Sequence, residues 1–172
     1  MKRIVTVAII IIACYLLQCT LFQTLSFAGI TPNLLIVVTS AFGFMRGQKE
    51  GTWIGLCCGL CMDIFCGNTL GVYALLYMYV GFLNGYFRKL FYPEDIKLPM
   101  LLIGGSDLLY NLVVYFFLFL FRSRFAFEFY LMNIIIPELV YTMLVTIVLY
   151  MILLKINQRL ELIEKRSAKK FV

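Results

Sequence analysis

The chain has 172 residues, 63 % hydrophobic and only 14 % charged, with a formal net charge of +6 and no histidine. Soluble domains run at about 45–50 % apolar and about 25 % charged, so this chain lacks the polar surface to cover a water-exposed globule. The basic residues flank apolar runs instead of forming a basic face, which argues against nucleic acid as a partner and for a membrane surface carrying anionic lipid.

A membrane-spanning helix needs about 20 apolar residues, range roughly 17–25. On that measure the chain parses into six apolar segments. The first, Ile4–Leu25, follows Met1-Lys2-Arg3 and resembles a signal peptide with Ser26-Phe27-Ala28 as a cleavage site. Its length, and the membrane segments that follow at once, read it as a retained first helix. The second, Pro32–Met45, and the third, Gly51–Cys66, are short. The fourth runs Val72–Phe87 after the turn Gly67-Asn68-Thr69-Leu70-Gly71. The fifth is Leu98–Phe121 and the sixth Tyr130–Leu154. The short segments call for a thinned bilayer, burial among neighbours or partial re-entry. The expected fold is all-α: a polytopic membrane helix bundle over 1–154, with a basic cytoplasmic tail over 155–172.

Charge fixes an orientation. With the N-terminus cytoplasmic and six spans, Lys2, Arg3, Arg46, Lys49, Arg88, Lys89, Lys97 and the tail's Lys155, Arg159, Lys165, Arg166, Lys169 and Lys170 lie inside, and only Arg122 and Arg124 lie outside. The positive-inside rule favours this arrangement, with both termini cytoplasmic.

Residues 46–67, RGQKEGTWIGLCCGLCMDIFCG, carry glycine at 47, 51, 55, 59 and 67, and aspartate at the missing step, 63. A step of four turns a helix by about 400°, so Gly51, Gly55, Gly59 and Asp63 form one slowly winding groove. A helix backbone of this chain or of a partner can approach closely there. Ile54 is the expected lipid-facing neighbour. Asp63 is costly in a bilayer, about 2.5–3.5 kcal/mol on insertion scales, and requires company. It either closes the following turn by accepting backbone amides or Asn68, with Thr69 nearby, or binds a ligand or partner residue, or relays a proton.

Two more segments carry polar groups. Asp107 and Asn111 lie one turn apart after Gly104-Gly105-Ser106. Glu138 follows Pro137, whose missing amide hydrogen frees the carbonyl of Asn133 and predicts a kink. Asp107, Asn111, Asn133 and Glu138 are expected as buried polar residues that satisfy one another or line a polar cavity or partner contact. Cys14, Cys19, Cys57, Cys58, Cys61 and Cys66 all lie in or beside apolar runs and read as packing residues. Tyr73, Tyr77 and Tyr79 read as packing too, with hydroxyls free to reach buried acids. Trp53 and Tyr86 suit the inner interface, and Phe125, Phe127, Phe129 and Tyr130 the outer one. The alternation Phe125, Phe127, Phe129 predicts a short extended piece. There is no histidine, nucleophile motif or phosphate loop, so no catalytic, cofactor or metal site is expected.

Residues 31–87 resemble the rod shape-determining protein MreD family. The resemblance lies in Pro32, Leu34 and Leu35, the Arg46-Gly47-x-x-x-Gly51 turn, the glycine-stepped helix ending Gly59-Leu60-x-x-Asp63, and Gly67-x-x-Leu70-Gly71. It implies a small non-enzymatic protein of the bacterial cytoplasmic membrane, part of the cell-elongation machinery. Its implied partners are an MreC-like single-span protein, an MreB-like filament, and the elongation transpeptidase and glycosyltransferase of peptidoglycan synthesis. The family is similar in fold to the substrate-binding subunits of energy-coupling-factor transporters, which supplies an alternative function. Those subunits usually carry Ala-x-x-x-Ala on the first helix, whereas here Ala8 and Ala13 stand five apart.

Overall fold

The computed structural model describes residues 2–24, 30–65, 71–88, 97–120 and 127–169. They form helices α1 (Lys2–Cys19), α2 (Leu21–Thr24), α3 (Leu34–Arg46), α4 (Gln48–Phe65), α5 (Val72–Phe87), α6 (Lys97–Leu120), α7 (Phe127–Tyr130) and α8 (Ile136–Lys169), with one π-helical turn at Leu131–Ile135. Ser26-Phe27-Ala28, Cys66, Asn68, Thr69 and Phe125 lie outside the described residues.

α3 is the centre. Every residue from Leu34 to Met45 is buried, and α3 packs against α1, α4, α5, α6 and α8. A helix that is apolar all round is stable only when surrounded. At 13 residues it is about 20 Å long, well short of the roughly 30 Å hydrocarbon core. Burial among neighbours therefore accounts for its shortness. α3 turns into α4 at the single residue Gly47, with φ of 100°. Its amide donates to the Gly43 carbonyl at 2.8 Å, and Gly51 N–H donates to its own carbonyl at 2.9 Å. Only glycine takes this backbone without strain.

Two helical stretches, 97–117 and 131–165, are long and apolar enough to cross a membrane. Their outward faces are apolar: Leu101 on α6 and Leu144 and Val148 on α8 are well exposed, as are Ile4, Ile9 and Ile12 on α1. Apolar surface on so many sides fits lipid as the solvent.

Several expectations change. The first helix stops at Cys19, and α2 follows after a turn at Thr20, whose hydroxyl bonds back to the Leu16 carbonyl. Such side-chain bonding competes with the helix. Residues 127–130 are helical, not extended: over four residues the aromatic alternation is too short a signal to outweigh the helix that continues into 131–169. α8 runs on past Leu154 to Lys169, so the basic stretch from 155 to 169 is helical. The proline predicts a kink, and the structure answers it with the π-turn, closed by Ile136 N–H donating to the Leu131 carbonyl. A wider turn one residue before Pro137 absorbs the missing donor.

Candidate assembly site: the α4–α5 clasp and its polar ends

Among the described helices α4 and α5 form the most closely packed pair, and the glycines of both make it. A Cβ on Gly51 would lie 2.5 Å from the Gly81 carbonyl oxygen, one on Gly55 2.8 Å from the Tyr77 carbonyl carbon, and one on Gly59 2.6 Å from the Tyr73 carbonyl oxygen. From the α5 side, Gly85 meets the backbone of Gly47 and Gln48, and Gly81 that of Gly51. The contacts run backbone to backbone, and α5 fills the groove of α4. Ile54, next to the stripe, is 8 % exposed and packs in the core, so it does not face lipid as expected. The wide buried arc of α4 takes it in because α1 and α3 cover that side.

Asp63 ends the stripe. It is 1 % exposed. Its Oδ2 accepts the amides of Gly71 (3.0 Å) and Ala74 (2.9 Å), and its Oδ1 accepts that of Tyr73 (3.1 Å). Gly71, at φ 101°, is the N-cap of α5 and offers no side-chain cap. The first turn of any helix has orphan amides, and here the previous helix supplies the missing acceptor. The negative charge lies at the end of α4, where the dipole disfavours it, and at the start of α5, where the dipole favours it. The three bonds, each to an anion, decide in favour of the second.

A second polar layer was not evident in the sequence. Asn33 caps α3 by accepting Ile36 N–H at 3.3 Å, and the same oxygen accepts the Tyr77 hydroxyl at 2.8 Å. Its own amide donates to Thr142 Oγ1 at 3.3 Å, and Leu34 N–H donates to Gln18 at 3.1 Å. One residue thus joins α3, α5 and α8. The signal for it is an asparagine directly before an apolar helix, the usual N-cap position. Removing the hydroxyl by Tyr77→Phe is expected to cost about 1 kcal/mol, and Asn33→Ala, which strands both a cap and a hydroxyl, about 2 kcal/mol or more. Melting in detergent checks the order of the two.

Asp107 on α6 is fully buried, faces Thr142, and neither carboxylate oxygen has a hydrogen-bond partner. Glu138 faces Asn111 and Asp107. These three residues converge between α6 and α8. Asn133 does not join them: it is exposed and donates to the Phe129 carbonyl at 3.0 Å. The π-turn shifts the register ahead of Pro137 and turns it away. Nearby, Asn84 on α5 donates to Ser40 on α3 (3.3 Å) and Ser106 on α6 (2.7 Å).

The opposite end of the bundle is charged. Arg46 donates to Asn157, and its Nη1 meets Glu164 at 3.1 Å. Arg3 bridges Glu164 at 3.0 Å and also pairs with Glu50. Arg88 donates to the Arg46 carbonyl. Residues 161 positions apart, Arg3 and Glu164, meet in this network. No group of three or more potential metal ligands occurs among the described residues.

The family model described as rod shape-determining protein MreD matches residues 1–160. The chain belongs to the MreD family. No curated protein and no solved structure matches it significantly. An MreD-family chain is a membrane protein of cell-shape determination, a structural component and not a member of a known enzyme family. The residues described above hold the short helices of this membrane protein together.

Proposed function

We propose that this chain is a multi-pass scaffold of the bacterial cytoplasmic membrane that gathers an MreC-like single-span protein and an MreB-like filament. The assembly would also hold the elongation transpeptidase and glycosyltransferase, so that peptidoglycan is inserted along a rod. The observation that carries this reading is the family match over 160 residues. Glycines 51, 55 and 59 with Asp63 keep the α4–α5 pair rigid, and Asn33 ties α3 to α5 and α8, so that partners meet a preformed surface. Affinity purification of the tagged chain from its native membrane is expected to recover an MreC-like protein in near-equal amount. Recovery of the chain alone, in a detergent that preserves its fold, would count against the scaffold. The alternative, a substrate-binding transporter subunit, finds no support in the comparisons.

We further propose that both termini are cytoplasmic. The clustering of Arg3, Arg46, Glu50, Arg88 and Glu164 at one end of the bundle supports this, because it gathers the N-terminus, the α3–α4 turn and the end of α8 on the side that the positive-inside rule makes internal. In a background without native cysteines, Ala168→Cys is expected to react with an impermeant thiol reagent only after permeabilisation. Labelling in intact spheroplasts would invert the topology.

A further inference from the structure

Between α1 and α4, floored by Phe42 of α3, lies a cavity of about 510 Å³, within the range of about 300–1,000 Å³ typical of small-ligand sites. Its walls are apolar, among them Ala8 and Ile12 on α1 and Trp53 and Cys61 on α4. Arg3, Arg46 and Glu50 line one end. The lining stops at Ile12 on α1 and Cys61 on α4, and one turn beyond them the rings of Tyr15 and Phe65 meet at 5.2 Å. From Arg3 to Ile12 the groove follows α1 for about 14 Å, and from Glu50 to Cys61 it follows α4 for about 16 Å. Half of a hydrocarbon core of roughly 30 Å is about 15 Å. The groove is therefore one leaflet deep, charged at its mouth and blind at its far end.

That shape decides between occupants. A transmembrane helix of a partner would need a groove running the whole bilayer, and the Tyr15–Phe65 contact blocks it. An acyl chain ends where the groove ends. The charge at the mouth also points to a lipid. The Arg46 side chain is only 9 % exposed, and its Nη2 has no hydrogen-bond partner although Nη1 meets Glu164. Arg3, half-buried beside it, is shared by two carboxylates. Both arginines line this end of the groove, and guanidinium groups at a membrane surface suit phosphate oxygens.

We propose that this groove binds one anionic glycerophospholipid, with an acyl chain between α1 and α4 and its phosphate at Arg3 and Arg46. The lipid fills the gap left where the first half of α1 stands off α4, and it fastens α1 to the bundle. With that end cytoplasmic, as proposed above, the lipid belongs to the inner leaflet; the rest of the inference does not depend on the topology.

Trp53 is the single tryptophan of the chain; it lines this groove and is 70 % exposed, so its fluorescence reports the surrounding lipid together with the occupant, and only an excess over the bulk isolates the occupant. The protein is placed in phosphatidylcholine vesicles containing a minor fraction of phosphatidylglycerol with brominated chains. Quenching is expected to exceed that set by the bulk mole fraction, with local enrichment of roughly fivefold for each guanidinium engaged. Arg3→Gln should lower the excess and Ala8→Phe, which fills the groove, should abolish it. Ile9→Phe, on an exposed face of α1 outside the groove, should keep it. Quenching that tracks the bulk fraction, or an excess that survives Ala8→Phe, overturns the proposal. Quenching below the bulk fraction also overturns it and points to a protein segment shielding Trp53. The readout is the same in either orientation, so it stands or falls apart from the topology.

Discussion

Gly55→Leu is expected to prevent stable accumulation of the protein in the membrane. A β-carbon at Gly55 has no free volume: the nearest atoms belong to the Tyr77 peptide, with its carbonyl carbon at 2.8 Å. A flexible side chain could swing aside, but a helix backbone cannot. Relief requires α5 to move away from α4 along its whole length, which separates Gly51 from Gly81 and Gly59 from Tyr73 as well. Ordinary overpacking costs about 1–3 kcal/mol, and contact with a backbone held by its own helix should exceed about 3 kcal/mol. Against a total stability of about 5–15 kcal/mol that is a large share. Ile64→Leu, at a position 65 % exposed on the same helix, should stay within about 0.5 kcal/mol. Immunoblots of membrane fractions and melting in detergent separate the two. Equal behaviour would show that the stripe does not hold the pair together.

Asp63 gives the second large effect, and its variants should grade. Asp63→Leu strands the amides of Gly71, Tyr73 and Ala74 at a buried site, at about 1–3 kcal/mol for each orphan. Asp63→Asn keeps one oxygen. That oxygen can take the Oδ2 position and serve Gly71 and Ala74, but its NH₂ group then faces the Tyr73 amide, donor against donor. A loss of about 1.5–3 kcal/mol is expected for Asn and more for Leu. Protein level and rod shape in a complemented depletion strain should fall together in the order wild type, Asn, Leu. An Asn variant that accumulates normally yet restores no shape would mean that the charge itself is used, by a ligand or a proton.

How much of this could be read in the sequence differs from element to element. The step-of-four glycines state that some backbone comes close to α4. They do not say which, because periodicity describes α4 alone and carries no record of its partner α5. Asp63 looks misplaced when α4 is read alone and natural once α5 begins beside it. Helix periodicity describes one element at a time, whereas the cap belongs to two. Asn33 was within reach, since an N-cap asparagine before an apolar run is a local signal. Its bonds to Tyr77 and Thr142 were not, as they join residues 44 and 109 positions away. The buried set at α6–α8 shows the limit of spacing arguments. Asp107, Asn111 and Glu138 converge, whereas Asn133, only five residues before Glu138, is turned outward by a π-turn that a uniform 3.6-residue period does not contain. Arg3, Arg46 and Arg88, which the charge count groups on one side, also meet in the fold.

The most direct test of the account is depletion of the protein from its host followed by complementation. The account predicts that depleted cells round up, that wild type and Ile64→Leu restore rods, and that Gly55→Leu does not. Cells that stay rod-shaped when the protein can no longer be detected would contradict it.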